Sequence, residues 1–238
     1  MKLLIVSDLH YGLRQFDFVA DLAPHFDAVV IAGDLLDLRS PVPIAAQAVA
    51  ASAQLVRIGS RGTLLACSGN HDLDGLDEAG EKAARWLQTL TAPGVHVDGE
   101  AVMVSDALVT ICPWWEGPVG RAKLASQLSE NARQKRDLWI WVHHAPPTGS
   151  RLASDGRRSY GDDALAGWIA EFSPDFIFSG HIHQSPFTGE GGWAERIGTT
   201  WVFNPGREPG PIPAHIVLDI DEGHATWFSS EGSERVTL

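Results

Sequence analysis

Lys2-Leu3-Leu4-Ile5-Val6-Ser7-Asp8-Leu9-His10 is the stretch whose reading decides the fold. An apolar run too short for a helix stops at Ser7 and is followed by two polar donors spaced two residues apart. Such a run reads as a buried first strand, and residues two apart at a strand end point to the same side. Asp8 and His10 can therefore reach one ion. The motif recurs. Ala28–Ile31 precedes Gly33-Asp34-Leu35-Leu36-Asp37, and Thr63–Cys67 precedes Gly69-Asn70-His71-Asp72. Leu138–Val142 leads into His143-His144-Ala145-Pro146-Pro147, and Phe176–Phe178 into Gly180-His181-Ile182-His183. Five donor clusters, each close behind an apolar run, describe ligands displayed from loops at the carboxyl ends of strands.

The spaces between these strands read as helices and short strands. Leu13–Leu22, Pro41–Ile58, Leu76–Leu90, Arg121–Lys135 and Asp162–Glu171 carry helical composition or periodicity, several of them ended by Gly or Pro. Val95–Val97, Ala101–Val104 and Leu108–Ile111 are strand-like, as are Trp193–Ile197, Thr200–Phe203, His215–Ile220 and Ala225–Phe228. Strand–helix alternation dominates the first half and strands dominate the end. Two β-sheets packed face to face with helices outside satisfy both halves. The 238 residues, 44% of them hydrophobic, suit one domain spanning positions 1–238 with a substantial core.

Bulk properties narrow the class further. No apolar stretch approaches the length of a membrane span, and Met1–Val6 is too short for a secretion signal, so a cytoplasmic protein is expected. Cys67 and Cys112 lie in apolar runs without ligand-like spacing and read as buried thiols outside any metal site. The net charge of −12 opposes long-range attraction of nucleic acid, although bound metal ions could still draw an anionic substrate into a local pocket.

The donor types suit divalent ions. A carboxylate such as Asp34 has two oxygens and can bridge two of them, and the Asn70 amide oxygen is a neutral hard ligand. Asp37 reads as a helix cap or a supporting acid. Asp72 beside His71 favours the protonated imidazole, and a protonated His near a metal-bound phosphate can give a proton to a leaving oxygen. His181 and His183 repeat the spacing of Asp8 and His10. Adjacent strand residues point oppositely, so only one of His143 and His144 should bind a given ion.

Taken together, the clusters from Asp8 to His183 resemble the calcineurin-like metallophosphoesterase superfamily. Asn204-Pro205-Gly206 is similar to its frequent closing turn. The resemblance implies a four-layer αββα sandwich of two mixed sheets, an α/β fold. It implies two divalent ions (Mn, Fe, Zn, Co or Ni, with Mn favoured). One would be held by Asp8, His10, Asp34 and His183, and the other by Asp34, Asn70, His144 and His181. His144 is preferred over His143 because His144-Ala145-Pro146-Pro147 resembles the family's His-Gly-Pro-Pro. The implied chemistry is phosphoester hydrolysis by a bridging hydroxide, with His71 as proton donor oriented by Asp72.

The substrate side is less constrained. The turn Pro113-Trp114 and the His-Ala-Pro-Pro turn resemble the small phosphodiesterase-like branch, which favours a small phosphodiester over a phosphomonoester. Trp114 reads as a stacking ring or a packed one, and Arg14, Arg151, Arg157 and Arg158 as phosphate contacts or solvated loop residues. A nuclease of the same superfamily is the alternative, disfavoured by net charge. A non-catalytic metal-binding scaffold comes third, because all seven ligands and His71 are present.

Overall fold

Hydrophobic alternation with a period of two builds the molecule, and the computed structural model describes all residues from 1 to 238. From the N-terminus run β1 (Lys2–Val6), α1 (Leu13–Leu22), β2 (Ala28–Ala32), α2 (Ile44–Gly59), β3 (Leu64–Cys67), a hairpin of β4 (Gly75–Leu76) and β5 (Lys82–Ala83), α3 (Arg85–Gln88) and β6 (Val95–His96). Next come β7 (Ala101–Val104), β8 (Ala107–Ile111), α4 (Pro118–Asn131), β9 (Leu138–Val142), α5 (Asp163–Phe172), β10 (Phe176–Phe178), β11 (Ala194–Ile197) and β12 (Thr200–Phe203). The chain closes with β13 (His215–Asp219), β14 (His224–Ser229) and β15 (Gly232–Thr237).

Two large sheets result. One has the order β15-β14-β13-β1-β2-β3-β6 and the other β11-β12-β10-β9-β8-β7. Both are mixed. β1, β2, β3 and β6 run parallel, as do β8, β9, β10 and β12, while the outer strands are antiparallel. Alternate residues of each strand enter different cores. Leu3 and Ile5 of β1, with Val30 of β2 and Leu65 of β3, meet Val109, Ile140, Val142 and Phe178 of the second sheet in the central layer. Leu4, Val6, Val29 and Ile31 face the other way, onto Phe16 and Val19 of α1 and Leu55 of α2. Trp139, Trp141 and Ile177 cover the outer face of the second sheet beneath Leu124 and Leu128 of α4 and Leu165 and Ile169 of α5. A strand buried on both faces reads as a continuous apolar run, which is why Lys2–Val6 shows no polar alternation. The four-layer αββα sandwich is thus observed.

The helical reading of Leu76–Leu90 is corrected. Its apolar spacing is interrupted at Gly80, whose φ of +78° is left-handed. The Asp77 carboxylate accepts from the amides of Ala79 and Glu81, which closes a hairpin turn in place of a helical one. Only Arg85–Gln88 remains helical. α4 begins three residues before the expected Arg121, at Pro118, because Glu81 of the hairpin accepts from the amides of Val119 at 2.8 Å and Gly120 at 2.7 Å. A helix cap supplied by another element leaves no local signature. β15 carries no strand signal in its residues either: its polar Gly-Ser-Glu-Arg-Val-Thr lies along the sheet edge and is ordered by pairing with β14. Cys67 and Cys112 are buried, free thiols, and no helix is long and apolar enough to cross a membrane.

Candidate metal centre

The parallel strands of both sheets end on the same edge, and the donor loops follow β1, β2, β3, β9 and β10 there. Crevices outside the carboxyl ends of strands are the usual ligand sites of α/β sheets. Beyond Val6 and Ala32 the ladder continues between the two loops. The Asp8 amide donates to Gly33 O (3.0 Å), His10 to Asp34 O (2.9 Å) and Tyr11 to Leu35 O (2.8 Å). These bonds hold an unusual backbone. Asp8, His10, Tyr11, Asp34 and His181 all have φ between +42° and +67°. Non-glycine residues adopt that region at a cost on the order of 1–3 kcal/mol each, and such residues cluster where function demands a side-chain direction.

Two carboxylate oxygens form the centre. Asp34 Oδ2 lies 3.3 Å from His144 Nε2, 3.5 Å from His10 Nε2 and 4.0 Å from His71 Nε2. Asp8 Oδ1 lies 3.1 Å from His183 Nε2, 3.8 Å from His10 Nε2 and 4.0 Å from His144 Nε2. The donor atoms of Asp8, His10, Asp34 and His183 fall within 4.8 Å of one another, and so do those of His10, Asp37 and His71. Beside them the Asn70 amide oxygen is 2.9 Å from His181 Nδ1, and the His181 ring is 5.2 Å from that of His144. Tight backbone approach allows this density. A Cβ at Gly33 would collide with the His144 ring, and one at Gly69 with the Asp34 carboxylate.

His144 supplies the direct test of whether this donor set fits a metal. Its Nδ1 lies 2.7 Å from Ala32 O, so that nitrogen carries the hydrogen. Nε2 then points into the centre, buried, with Asp34 Oδ2 3.3 Å away and no well-aligned hydrogen bond. Alongside, His10 Nε2 and His183 Nε2 lie within hydrogen-bond distance of each other at 3.0 Å. Nitrogen and carboxylate lone pairs converging in a buried space repel unless a cation sits between them. The ionisation of the groups points the same way. Burial pushes the His10 and His181 rings down to about 4, which leaves them neutral ligands. Burial also disfavours the His144 cation, but the Asp34 and Asp8 charges override it and raise that ring to about 9. Burial acts against the Asp34 charge too, yet the imidazoles around it hold its carboxyl well below the usual range. The charges of Asp8 and Asp34 thus call for a positive partner, which a proton on His144 or a divalent ion can supply, and the residues fit divalent ions.

The structure therefore brings Asp8, His10, Asp34, Asn70, His144, His181 and His183 together, with His71 at the rim. His143 turns away, its Nε2 3.2 Å from Asp162 Oδ2 at the start of α5. Asp72 does not reach the His71 ring. Its Oδ1 accepts from the Leu36 amide (2.9 Å) and its Oδ2 from the Gly69 amide (2.7 Å), so it ties the Asp34 loop to the Asn70 loop. Trp114 packs against the centre, its ring 5.3 Å from His181 and 5.7 Å from His144. The arginines stand apart. Arg151 donates through Nε and Nη2 to Gly191 O and braces that loop. Arg14 and Arg157 are exposed, and Arg157 belongs to a turn closed on Asp155. Sequence reasoning passes over Ser7, whose hydroxyl donates to Asp8 Oδ2 at 2.5 Å, and the Ala32 carbonyl that sets the His144 tautomer. Ser7 adjoins the motif and is findable from it, whereas a backbone carbonyl leaves no trace in residue identity.

A centre of carboxylates, imidazoles and one amide at the open edge of an αββα sandwich defines a metal-supported hydrolase site. Residues 1–185 match the calcineurin-like phosphoesterase family, and the chain belongs to it. Members are phosphoester hydrolases that typically bind two divalent ions. Among curated proteins, none matches by sequence. Solved structures share the fold. TT1561 of Thermus thermophilus is 18% identical with a TM-score of 0.59, over 99% of this chain and 98% of that one. A purple acid phosphatase, PPD1, from seeds of yellow lupin (Lupinus luteus) is 15% identical with a TM-score of 0.62. It covers 100% of this chain but only 53% of its own.

Proposed function

We propose that residues 1–238 act as one domain that hydrolyses small phosphodiesters with two divalent ions. One ion is held by Asp8, His10, Asp34 and His183, the other by Asp34, Asn70, His144 and His181. The observation that carries this reading is the buried Nε2 of His144 converging with Asp34 and Asp8. When bound, such ions make water more acidic and offset charge on the phosphoryl oxygens.

The chain's own groups do the rest. Asp34 Oδ1 accepts from the His71 amide at 2.9 Å, which leaves Oδ2 aimed at the imidazoles and fixes the loop that carries His71. His71 Nδ1 lies 3.4 Å from the Leu38 amide, and its Nε2 faces the centre, 4.0 Å from Asp34 Oδ2. From the imidazolium form the Nε2 hydrogen can pass to the leaving oxygen and leave a neutral ring, a contribution typically of ~10²–10⁴-fold. Trp114 packs against the His144–His181 side.

The deciding experiment compares bis-4-nitrophenyl phosphate with 4-nitrophenyl phosphate, with Mn²⁺ added and with metal stripped. Metal-dependent turnover chiefly of the diester is expected. A preference for the monoester would reassign the chain as a phosphatase, and metal-independent turnover would reject the reading.

A further inference from the structure

Beside the centre lies a cavity of about 330 Å³ that no ligand of the metal site fills. His181 forms one wall, so the cavity adjoins the metal centre. Trp114, Trp115 and Tyr160 supply three aromatic surfaces around it. Trp114 is held at backbone and ring: its amide donates to Ser68 Oγ (3.0 Å) and its Nε1 to Glu116 Oε1 (2.9 Å). At the far side the Arg121 guanidinium lies over the Trp115 ring, 5.8 Å from its centroid. Arg121 makes no ion pair, unlike Arg57 and Arg61, which pair with Asp17 and Asp21. Tyr160 is 46% exposed, a large ring held at the mouth without burial.

Such a cavity suits one kind of group. Its volume falls at the small end of ligand pockets, about 300–1,000 Å³. Aromatic faces bind planar rings by stacking, and a guanidinium donates in a fixed fork to acceptor atoms at a ring edge. A short alkyl group would leave the rings wet and Arg121 without a partner. We propose that this cavity receives a planar aromatic ester group bearing hydrogen-bond acceptors, positioned by Trp115, Tyr160 and Arg121 while its phosphoryl group sits at the metal centre. This inference rests on the hydrolase reading for its geometry.

The test uses 4-nitrophenyl diesters that differ only in the second ester group: methyl, phenyl or 5′-thymidyl. The metal-loaded protein should show kcat/KM at least about 10-fold higher for the thymidyl and phenyl esters than for the methyl ester, as base–aromatic stacking provides. Tyr160→Ala should bring both ratios down toward one. Arg121→Ala should lower the thymidyl-to-phenyl ratio alone. A second readout needs no turnover: thymidine 5′-monophosphate should quench tryptophan fluorescence at concentrations about 10-fold below those of methyl phosphate, as the same stacking provides, and Tyr160→Ala should erase that gap. Equal kcat/KM for the three esters, or equal binding of the two monophosphates, overturns the proposal. Selective binding without turnover of any diester would uphold the cavity and reject the phosphodiesterase reading.

Discussion

The metal centre and the aromatic cavity beside it touch at His181, yet they are built by opposite rules. In the centre backbone sets many of the directions. Left-handed Asp8, His10, Asp34 and His181, a hydrogen-bonded ladder between loops and glycines without room for a Cβ aim the donors. In the cavity the walls are side chains of partly exposed rings, one guanidinium and the Asp162 and Asp163 carboxylates, carried by loops and the first turns of α4 and α5. The lesson concerns what each part tolerates. A chemistry shared by many substrates can sit on rigid strand ends, whereas selectivity can be altered on loops without disturbing it.

Breaking the rigid side should have the largest effect. Asp34→Ala removes the oxygen around which three imidazoles gather, and metal content by elemental analysis should fall with activity to background. A variant that kept both would refute Asp34 as the shared ligand. Next comes His71→Ala, which should retain metal but lose ~10²-fold or more in kcat. The loss should grow as the leaving group becomes more basic, and equal losses across a leaving-group series would remove His71 from the proton transfer.

Asp72 sharpens the contrast. Its carboxylate joins two loops by backbone hydrogen bonds, so Asp72→Ala strands two buried amides and should destabilise the fold by about 2–4 kcal/mol. Denaturant unfolding measures this. Turnover of good and poor leaving groups should change by the same factor, because Asp72 does not touch the His71 ring; a selective loss on poor leaving groups would restore an orienting role.

The smallest effect lies outside both regions. Burial, only partly offset by hydrogen bonds from Ser68, raises the Asp98 carboxyl from 3.8 to about 6, and its Oδ2 has no partner. Between those values the folded chain holds more of this proton than the unfolded chain does. The Asp98 contribution to stability therefore falls as pH rises through that window and is constant above it. Asp98→Asn abolishes the ionisation and should stabilise the protein by on the order of 1–3 kcal/mol at about pH 7.5, with no gain at about pH 4. Melting temperatures of both proteins at the two pH values decide it.

Residue identity alone determined the strands that end in donors, because a fully buried strand must be an unbroken apolar run and a ligand must be a particular chemical type. Lys2–Val6, Ala28–Ala32, Leu138–Val142 and Phe176–Phe178, with the Asp, Asn and His residues behind them, are legible for that reason. The sandwich follows, since two such sheets must cover each other's faces. Tertiary structure decided what depends on groups distant in sequence. The Ala32 carbonyl selects the His144 tautomer, Glu81 sets the start of α4, Asp72 ties two loops in place of steering His71, and β14 draws a polar tail into β15. It also decided which arginines stay free, since Arg151 finds a carbonyl at Gly191 while Arg121 meets only an aromatic ring. Backbone hydrogen bonds and long-range contacts carry no residue code of their own, so they emerge only when the chain is folded.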